Sequence, residues 1–463
     1  MDLEKFEHAI TKYGTPLYVF DIDEVKRKTD YFRDRFRESA GLCFAIKANP
    51  FLTCTMSKVT DRIEVCSMGE FEICRELQIE AEKLLISGVL KKKEDITEIL
   101  NIYGGRCRYT VESVEQLYSY INWSSTHGEK INVYLRLTSG NQFGMDEEAI
   151  EKIIASRDQF PMIKVCGIHF FSGTQKKTAE KFSKEIAYLD KFCWKIEQKY
   201  GFTMSELEYG PGIAVPYFKD QEDTLEADIE VIKTAISGMK WKGKVMLEMG
   251  RAFVASCGYY LTCVHECKKN NDRNYCIVDG GMHQIQYDGQ IRGMYQPKCR
   301  MYPDGREGKK EKWTICGALC TANDVLVRDI ELTAPGEGSV IIFENAGAYA
   351  MTEGMSLFLS HELPAVVFYS EKEGFKLARN KQETYKWNME KLMNILMEID
   401  SSIAWDKEEK LIDDRIMDSF MVISLISELE DQFQIEIDAS EIIPENLNSV
   451  NAMWRMITKL QES

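Results

Sequence analysis

The chain has 463 residues, of which 44% are hydrophobic and 29% charged, so it can bury the core of a large multidomain protein. Its 58 Lys and Arg against 74 Asp and Glu give a net charge of −16, which argues against nucleic acid or an anionic membrane as the partner. No apolar run approaches ~18 residues, the start carries no secretory signal and the 14 cysteines are scattered, so we expect a cytoplasmic protein with reduced thiols.

Eight short apolar runs recur in the first part of the chain, between stretches of helical character. They span residues 42–46, 62–67, 83–88, 108–113, 132–137, 164–171, 207–210 and 245–250. Continuous apolar runs are typical of strands buried on both faces, as in a parallel sheet. They predict a closed (β/α)8 barrel; an open doubly wound sheet is the alternative, but no G-x-G-x-x-G follows the first run.

Residues that could bind a ligand or take part in a reaction stand at or just after the ends of these runs. In a barrel they would share one mouth, where active sites are built. They are Lys47, Ser67, His169, Thr174, Gly210, Gly212, Glu248 and Arg251. The glycines after the seventh and eighth runs suit a phosphate, because small residues let backbone N–H groups approach its oxygens. Lys47 alone fits a solvated strand cap. Beside a phosphate cup and Glu248, it indicates a desolvated lysine with a lowered pKa that bonds the aldehyde of pyridoxal phosphate.

The remaining chain divides by pattern and charge. Short β-type runs from about residue 259 to 368 predict an antiparallel β domain, which the run 16–21 could join. Residues 401–463 hold 14 acidic and 5 basic residues, a net −9, so a boundary precedes them. We predict an N-terminal segment (1–25), a cofactor-binding barrel (26–255), a β domain (256–372), a linker (373–386) and a small all-α domain (387–463).

Ordered motifs carry a resemblance to a known family. They include FAIKANP (44–50), EVCSMGE (64–70), GIHFFSGTQ (167–175), EYGPGIAVPYF (208–218), LEMGR (247–251), GALCTANDVL (317–326) and ENAGAYAM (344–351). Over roughly residues 10–370 the chain resembles the fold-type-III pyridoxal-phosphate decarboxylases of diaminopimelate, ornithine and arginine, which have an alanine-racemase-like barrel. The diaminopimelate branch looks nearest.

The resemblance implies roles for individual residues. Lys47 would bond the cofactor, and Glu248 would pair with its pyridine nitrogen, which favours decarboxylation over amino-acid racemisation. Phe171 would stack on the ring in place of the usual histidine, whereas His169 aligns with a non-stacking histidine and is expected to be structural. The phosphate would be held by Thr174, Gly210, Gly212, Gly250, Arg251 and Tyr349. No metal site is implied.

The β domain would complete the site across the interface of a homodimer with shared active sites. Cys320 would help protonate the product in the partner's site; a buried inert cysteine is the alternative. The family commonly places an acid after this cysteine to hold a distal ammonium, but Thr321 is uncharged here, so we expect a substrate with a neutral tail. Asp324 is expected to be structural. Arg292 could meet a substrate carboxylate.

The acidic tail resembles an acyl carrier protein. Asp418 is a natural helix N-cap, and Val422, Ile426, Leu429 and Phe433 recur on one helix face. The resemblance implies that Ser419 carries a 4′-phosphopantetheine arm, added by a phosphopantetheinyl transferase and loaded by an acyl-activating enzyme. Alternatively, Ser419 is only a second capping residue. Lys91, Lys92 and Lys93 are read as a solvated helix start.

Fusing a carrier to a decarboxylase suggests a tethered substrate. The α-amine and α-carboxylate must stay free, so the thioester would use a side-chain carboxyl, as in a γ-glutamyl group. The alternatives are a decarboxylase of free meso-diaminopimelate or ornithine whose carrier serves a later step, and a non-catalytic scaffold.

Overall fold

The chain forms two compact units. The computed structural model describes residues 1–290, 292–303, 307–385 and 389–461. One unit comprises Met1–Phe358 and Pro364–Lys381, and the other comprises Leu359–Leu363 and Gln382–Ser463. Within the described ranges, no helix is both long enough and apolar enough to cross a membrane.

The first unit contains a closed parallel barrel, as the sequence predicts. Outside the barrel, the chain begins with α1 (Leu3–Tyr13) and β1 (Leu17–Asp21). The barrel strands are β2 (Gly41–Ala45), β3 (Arg62–Val65), β4 (Leu84–Ile86), β5 (Arg108–Val111), β6 (Ile131–Arg136), β7 (Ile163–Phe171), β8 (Glu206–Gly210) and β9 (Lys244–Met249). The helices around them are α2 (Ile22–Phe36), α3 (Thr53–Val59), α4 (Met68–Glu76), α5 (Lys93–Tyr103), α6 (Val114–His127), α7 (Glu147–Ala155), α8 (Ala179–Tyr200), α9 (Leu225–Ser237) and the short α10 (Arg251–Val254).

The second sheet of this unit is mixed, so the prediction of a purely antiparallel domain is wrong. Its strands are β10 (Gly258–Asn270), β11 (Arg273–Val278), β12 (Cys299–Tyr302), β13 (Lys310–Cys316), β14 (Val325–Thr333), β15 (Val340–Phe343), β16 (Ala365–Ser370) and β17 (Gly374–Arg379). The N-terminal β1 inserts between β10 and β16, antiparallel to the first and parallel to the second. β11 and β13 are also parallel. Local runs do not reveal such pairings, because the partners are separated by long stretches of chain.

The predicted linker 373–386 is wrong over its first half, because β17 lies there and pairs with β16. Three of the six residues of β17 are exposed, and the charged Lys376 and Arg379 interrupt its short sequence. Charged side chains on an edge strand discourage edge-to-edge aggregation, and here they mask the strand signal. Residue 386 of the predicted linker and residues 387, 388, 462 and 463 of the predicted all-α domain lie outside the described residues.

The second unit is helical. Its helices are α11 (Glu390–Ile399), α12 (Ser419–Phe433), α13 (Pro444–Leu447) and α14 (Val450–Gln461). Its core includes Leu396, Trp405, Leu425, Leu429 and Met453, each at most 1% exposed. Asp418 caps α12 by accepting a hydrogen bond from the Met421 N–H at 2.8 Å, so the helix begins at Ser419.

Candidate active site

Lys47 lies just after β2, where its amino group faces two carboxylates and a thiol. Nζ donates a hydrogen bond to Glu64 Oε2 at 2.7 Å and lies 3.6 Å from Glu248 Oε1. Cys66 Sγ lies 3.5 Å from the same nitrogen. Burial favours the neutral amine, but the thiol and carboxylates outweigh it and raise the pKa of Lys47 well above its usual value. The predicted lowering of this pKa is therefore wrong, because the motif does not reveal the carboxylate that β3 brings beside the lysine.

Glu64 is a site residue that the sequence reasoning missed. Its side chain is only 1% exposed and accepts the hydrogen bond from Lys47. A lysine nitrogen that is to bond an aldehyde must be unprotonated, and Glu64, already in hydrogen-bond contact with Lys47, would be the group to accept its proton. The signal for it was a lone acid inside the apolar run 62–67. Ser67, in the same run, instead caps α4 by accepting from the Glu70 N–H.

Glu248, near the end of β9, divides its two oxygens between different partners. Oε1 faces Lys47, whereas Oε2 is 2.6 Å from His169 Nε2 on β7. His169 is fully buried. Burial, followed by the charge of Arg136, lowers the pKa of His169 well below its usual value, so the ring is neutral. The histidine expected to be structural thus contacts the acid proposed to meet the cofactor nitrogen.

A cavity of about 240 Å³ opens beside Lys47. Its lining includes eight of the nine predicted cofactor residues, namely Lys47, Phe171, Thr174, Gly212, Glu248, Gly250, Arg251 and Tyr349. The ninth, Gly210, lies against the Phe171 ring: a Cβ there would be 2.6 Å from Phe171 Cδ2. Gly212 has φ +67°, and a Cβ on it would lie 2.0 Å from the Gly173 carbonyl oxygen. The glycines therefore keep this wall of the cavity open.

Arg251 directly follows Gly250 in sequence and also lines this cavity. One NH1 proton is donated to the Tyr217 hydroxyl at 2.7 Å, and the guanidinium lies 4.6 Å from the centre of the Tyr349 ring. Its Nε is buried and has no hydrogen-bond partner among the residues that the structure describes. A buried guanidinium with a free donor suits an anionic ligand. Tyr217 was missed, although it stands in the EYGPGIAVPYF motif.

These features fit pyridoxal phosphate. The cavity offers a lysine nitrogen, a glycine-lined wall beside Arg251 for a phosphate, the Phe171 ring and the Glu248 carboxylate. When bound, the cofactor supplies an electron sink for the electron pair that remains as CO₂ leaves an α-amino acid. Lys47 would hold its aldehyde, Arg251 with Thr174 its phosphate, and Glu248 the proton on its ring nitrogen.

The β-domain residues predicted for the substrate do not line this cavity. Cys320 is exposed, and the N–H of Thr321 donates to the Leu319 carbonyl at 2.7 Å. Arg292 is exposed and its Nε donates to the Asn323 side chain. Asp324 is buried and accepts from the N–H groups of Met282 and Leu319, each at 2.8 Å, so it holds this loop together. Cys320 and Thr321 therefore lie outside the cavity of their own chain.

Lys91 is not the solvated residue that the sequence suggests. Its Nζ donates to the Gly88 carbonyl at 2.7 Å, to Thr110 Oγ1 at 3.1 Å and to Gln116 Oε1 at 3.3 Å. These acceptors are all neutral, and burial of the ammonium lowers the pKa of Lys91 to about 8. A run of three lysines concealed that its first member turns inward.

Glu64, His169 and Glu248 also form the kind of cluster that can bind a cation, with ligand atoms within 4.8 Å of one another. The Lys47 ammonium lies 2.7 Å from Glu64 and 3.6 Å from Glu248. The positive charge among these carboxylates is thus the lysine itself.

Comparisons with known proteins agree with this geometry. Residues 22–255 match the family model described as pyridoxal-dependent decarboxylase, pyridoxal binding domain. Diaminopimelate decarboxylase of Methanocaldococcus jannaschii is 27% identical over 407 residues, covering 81% of this chain and 90% of the relative. The L-glutamyl-[BtrI acyl-carrier protein] decarboxylase of Niallia circulans is 26% identical over 414 residues, covering 82% and 95%.

A solved structure supports the same assignment. The crystal structure of diaminopimelate decarboxylase from M. jannaschii superposes with a TM-score of 0.73 at 26% identity, covering 82% of this chain and 92% of that one. The family model spans half of the chain and includes the barrel that carries Lys47 and Glu248. The chain therefore belongs to the fold-type-III pyridoxal-dependent decarboxylases, the family of the diaminopimelate decarboxylases, and is a pyridoxal-phosphate-dependent amino-acid decarboxylase.

Proposed function

We propose that this enzyme decarboxylates an amino-acyl group that is tethered to a phosphopantetheine arm as a side-chain thioester, and that Ser419 of its own C-terminal unit carries the arm. The observation that carries the proposal is the setting of Ser419. It is exposed at the first position of α12, in an acidic helical unit with its own core. A helix N-terminus stabilises a phosphate, and the exposed Phe420 and Ile423 beside it offer an apolar contact surface to partner enzymes.

The chemistry limits how the substrate is attached. Decarboxylation breaks the bond between the α-carbon and its carboxylate and releases CO₂; the electron pair of that bond stays behind, and the α-carbon takes up a proton in place of the carboxylate. The amine must be free to bond the cofactor and the carboxylate must be free to leave, so only a side-chain carboxyl can form the thioester. A γ-glutamyl group would give a 4-aminobutyryl thioester.

Two further observations support a neutral substrate tail. Thr321 stands where the resemblance leads us to expect an acid that would hold a distal ammonium, and a thioester needs no such partner. The relative from Niallia circulans is named for a glutamyl group on an acyl carrier protein.

The small helical unit, with Asp418 capping the helix that starts at Ser419, supports the carrier assignment.

Completion of the site would require a homodimer with shared active sites, in which Cys320 and Thr321 of one copy reach the other. The exposed position of Cys320, away from the cavity of its own chain, supports this arrangement. A phosphopantetheinyl transferase and an acyl-activating enzyme would act on the C-terminal unit.

The experiment uses the full-length holoenzyme, phosphopantetheinylated and loaded with a γ-glutamyl group, followed by intact-protein mass spectrometry. We expect the loaded chain to lose the mass of one CO₂. Ser419→Ala should accept no arm, whereas Lys47→Ala should load normally but keep the CO₂. Retention of CO₂ by the loaded wild-type chain would refute tethered decarboxylation.

The second candidate is decarboxylation of a free diamino acid, meso-diaminopimelate or ornithine. It is favoured by the relatives named diaminopimelate decarboxylase, which match over four fifths of the chain. Turnover of either free amino acid at a rate matching the loaded glutamyl group would favour this candidate.

A further inference from the structure

A line of charged and polar side chains runs behind Glu248 inside the barrel. His169 Nε2 is 2.6 Å from Glu248 Oε2, and on its other side His169 Nδ1 is 3.3 Å from Arg136 NH1. Arg136 NH1 is in turn 3.6 Å from Glu112 Oε1, and Glu112 Oε2 accepts the Gly144 N–H at 2.9 Å. All four side chains of this line are at most 8% exposed. Strands β6, β7 and β9 thus bring together residues that are far apart in sequence.

The partners fix where the imidazole holds its proton. A guanidinium only donates hydrogen bonds, so Nδ1 facing Arg136 must be the accepting nitrogen. The neutral ring then carries its single proton on Nε2, and that N–H donates to Glu248. Arg136 lies between His169 and Glu112, so the group that contacts Glu248 directly is the neutral imidazole, oriented by the guanidinium behind it.

We propose that His169 and Arg136 are positioning residues that hold Glu248 as a hydrogen-bond acceptor, with Oε2 fixed by the imidazole and Oε1 directed toward the cavity. The consequence is specific. A carboxylate held in this way is oriented to accept the N–H of a protonated pyridine ring, whereas a carboxylate without the imidazole donor is free to rotate.

Stabilisation of the fold alone does not explain this row of buried polar side chains. Burying Arg136 and Glu112 carries a desolvation cost, and well-packed apolar side chains often replace such pairs without loss of stability. The groups that face His169 are Arg136 and Glu112 on one side and Glu248, Glu64 and Lys47 on the other. Among the residues that the structure describes, Glu248 is the hydrogen-bond partner of Nε2. This inference does not depend on which amino acid is the substrate.

Two substitutions of His169 separate positioning from packing. Gln keeps an N–H donor near the place of Nε2, whereas Leu fills similar space without one. His169→Leu removes a hydrogen bond to a charged group, and such bonds are stronger than those between neutral groups. We therefore expect this variant to bind pyridoxal phosphate about 10- to 100-fold more weakly, measured by titrating the cofactor-free protein. His169→Gln should stay within about threefold of wild type, and kcat should follow the same order. Equal cofactor affinity in the two variants, whether lost or retained, would overturn the proposal.

A measurement on the wild-type holoenzyme guards against misfolding of the variants. Nitrogen-15 NMR of histidine-labelled protein, with the His169 signals identified by their absence from His169→Gln, reports the protonation of each ring nitrogen. We expect a neutral ring protonated at Nε2. Arg136→Met, which removes the donor to Nδ1, should let the other tautomer appear. A wild-type ring protonated at Nδ1 would be incompatible with the proposed arrangement.

Discussion

Gly212→Ala tests the assignment of the cofactor cavity most directly. The added Cβ would lie 2.0 Å from the Gly173 carbonyl oxygen and 3.1 Å from Thr174 Cα. Contacts of a Cβ below 3.0 Å are not found in real structures, so the loop before Thr174 must retreat by about 1 Å. A misplacement of this size costs on the order of 10²-fold where groups must be aligned, so we expect pyridoxal phosphate affinity to fall by about that factor. The left-handed backbone at Gly212 adds about 1–2 kcal/mol of strain to the folded state.

The matched control is Gly201→Ala. Gly201 has a similar φ of +58°, but it follows α8 and a Cβ there meets nothing within 4 Å. This variant isolates the backbone strain, so it should lower the free energy of unfolding by about 1–2 kcal/mol and leave cofactor binding unchanged. The assay pairs urea unfolding with absorbance titration of the cofactor-free protein. If Gly212→Ala binds the cofactor as tightly as Gly201→Ala does, the phosphate does not lie against this wall.

Three further predictions address other parts of the chain. Leu425→Ala removes a buried side chain and should lower the free energy of unfolding of the C-terminal unit by about 2–5 kcal/mol, measured by thermal unfolding followed by circular dichroism. The control Ile423→Ala, at an exposed position of the same helix, should lower it by less than about 0.5 kcal/mol. Equal effects of the two substitutions would contradict the described core. The pKa of Lys91 is lowered from 10.5 in the unfolded chain to about 8 in the folded protein. Between pH 8 and pH 10.5 the unfolded chain therefore binds more protons, so the contribution of Lys91 to the free energy of unfolding should rise with pH over this range. Lys91→Met should flatten that rise in urea unfolding at several pH values, whereas the exposed Lys92→Met should not; an unchanged slope would show that burial does not depress this group. Thr321→Asp should increase kcat/KM for free ornithine relative to the tethered glutamyl group, and no change in this ratio would remove Thr321 from the substrate site.

The barrel could be predicted from sequence because its strands are buried on both faces. Such strands appear as short continuous apolar runs, and the helix between two of them sets the repeat. Loops at the carboxyl ends then share one mouth, and five of the residues that follow the runs line the cavity: Lys47, Thr174, Gly212, Glu248 and Arg251. The resemblance to a known family added Phe171, Gly250 and Tyr349.

The mixed sheet and the protonation of Lys47 could not be predicted in the same way. β1 and β16 pair in parallel although almost the whole unit lies between them in sequence. The charge of Lys47 depends on Glu64, which a neighbouring strand supplies, and the motif around the lysine carries no trace of that carboxylate. In both cases the deciding partner lies on another strand.

Three glutamates that are buried within strands of the barrel show why residue type alone cannot assign a role. Glu64, Glu208 and Glu248 each stand inside an apolar strand run, yet each carboxylate has a different cation or donor. Glu208 is fully buried and pairs with Arg62 on β3; burial raises its pKa to about 7 although the guanidinium opposes this. Glu64 instead meets Lys47, and Glu248 meets His169. Lys47 and Phe171 line the cavity at the mouth, whereas Arg62 and Glu208 do not. The cross-strand neighbour that faces each acid therefore decides whether its carboxylate lies at the cavity or in the packed interior of the barrel.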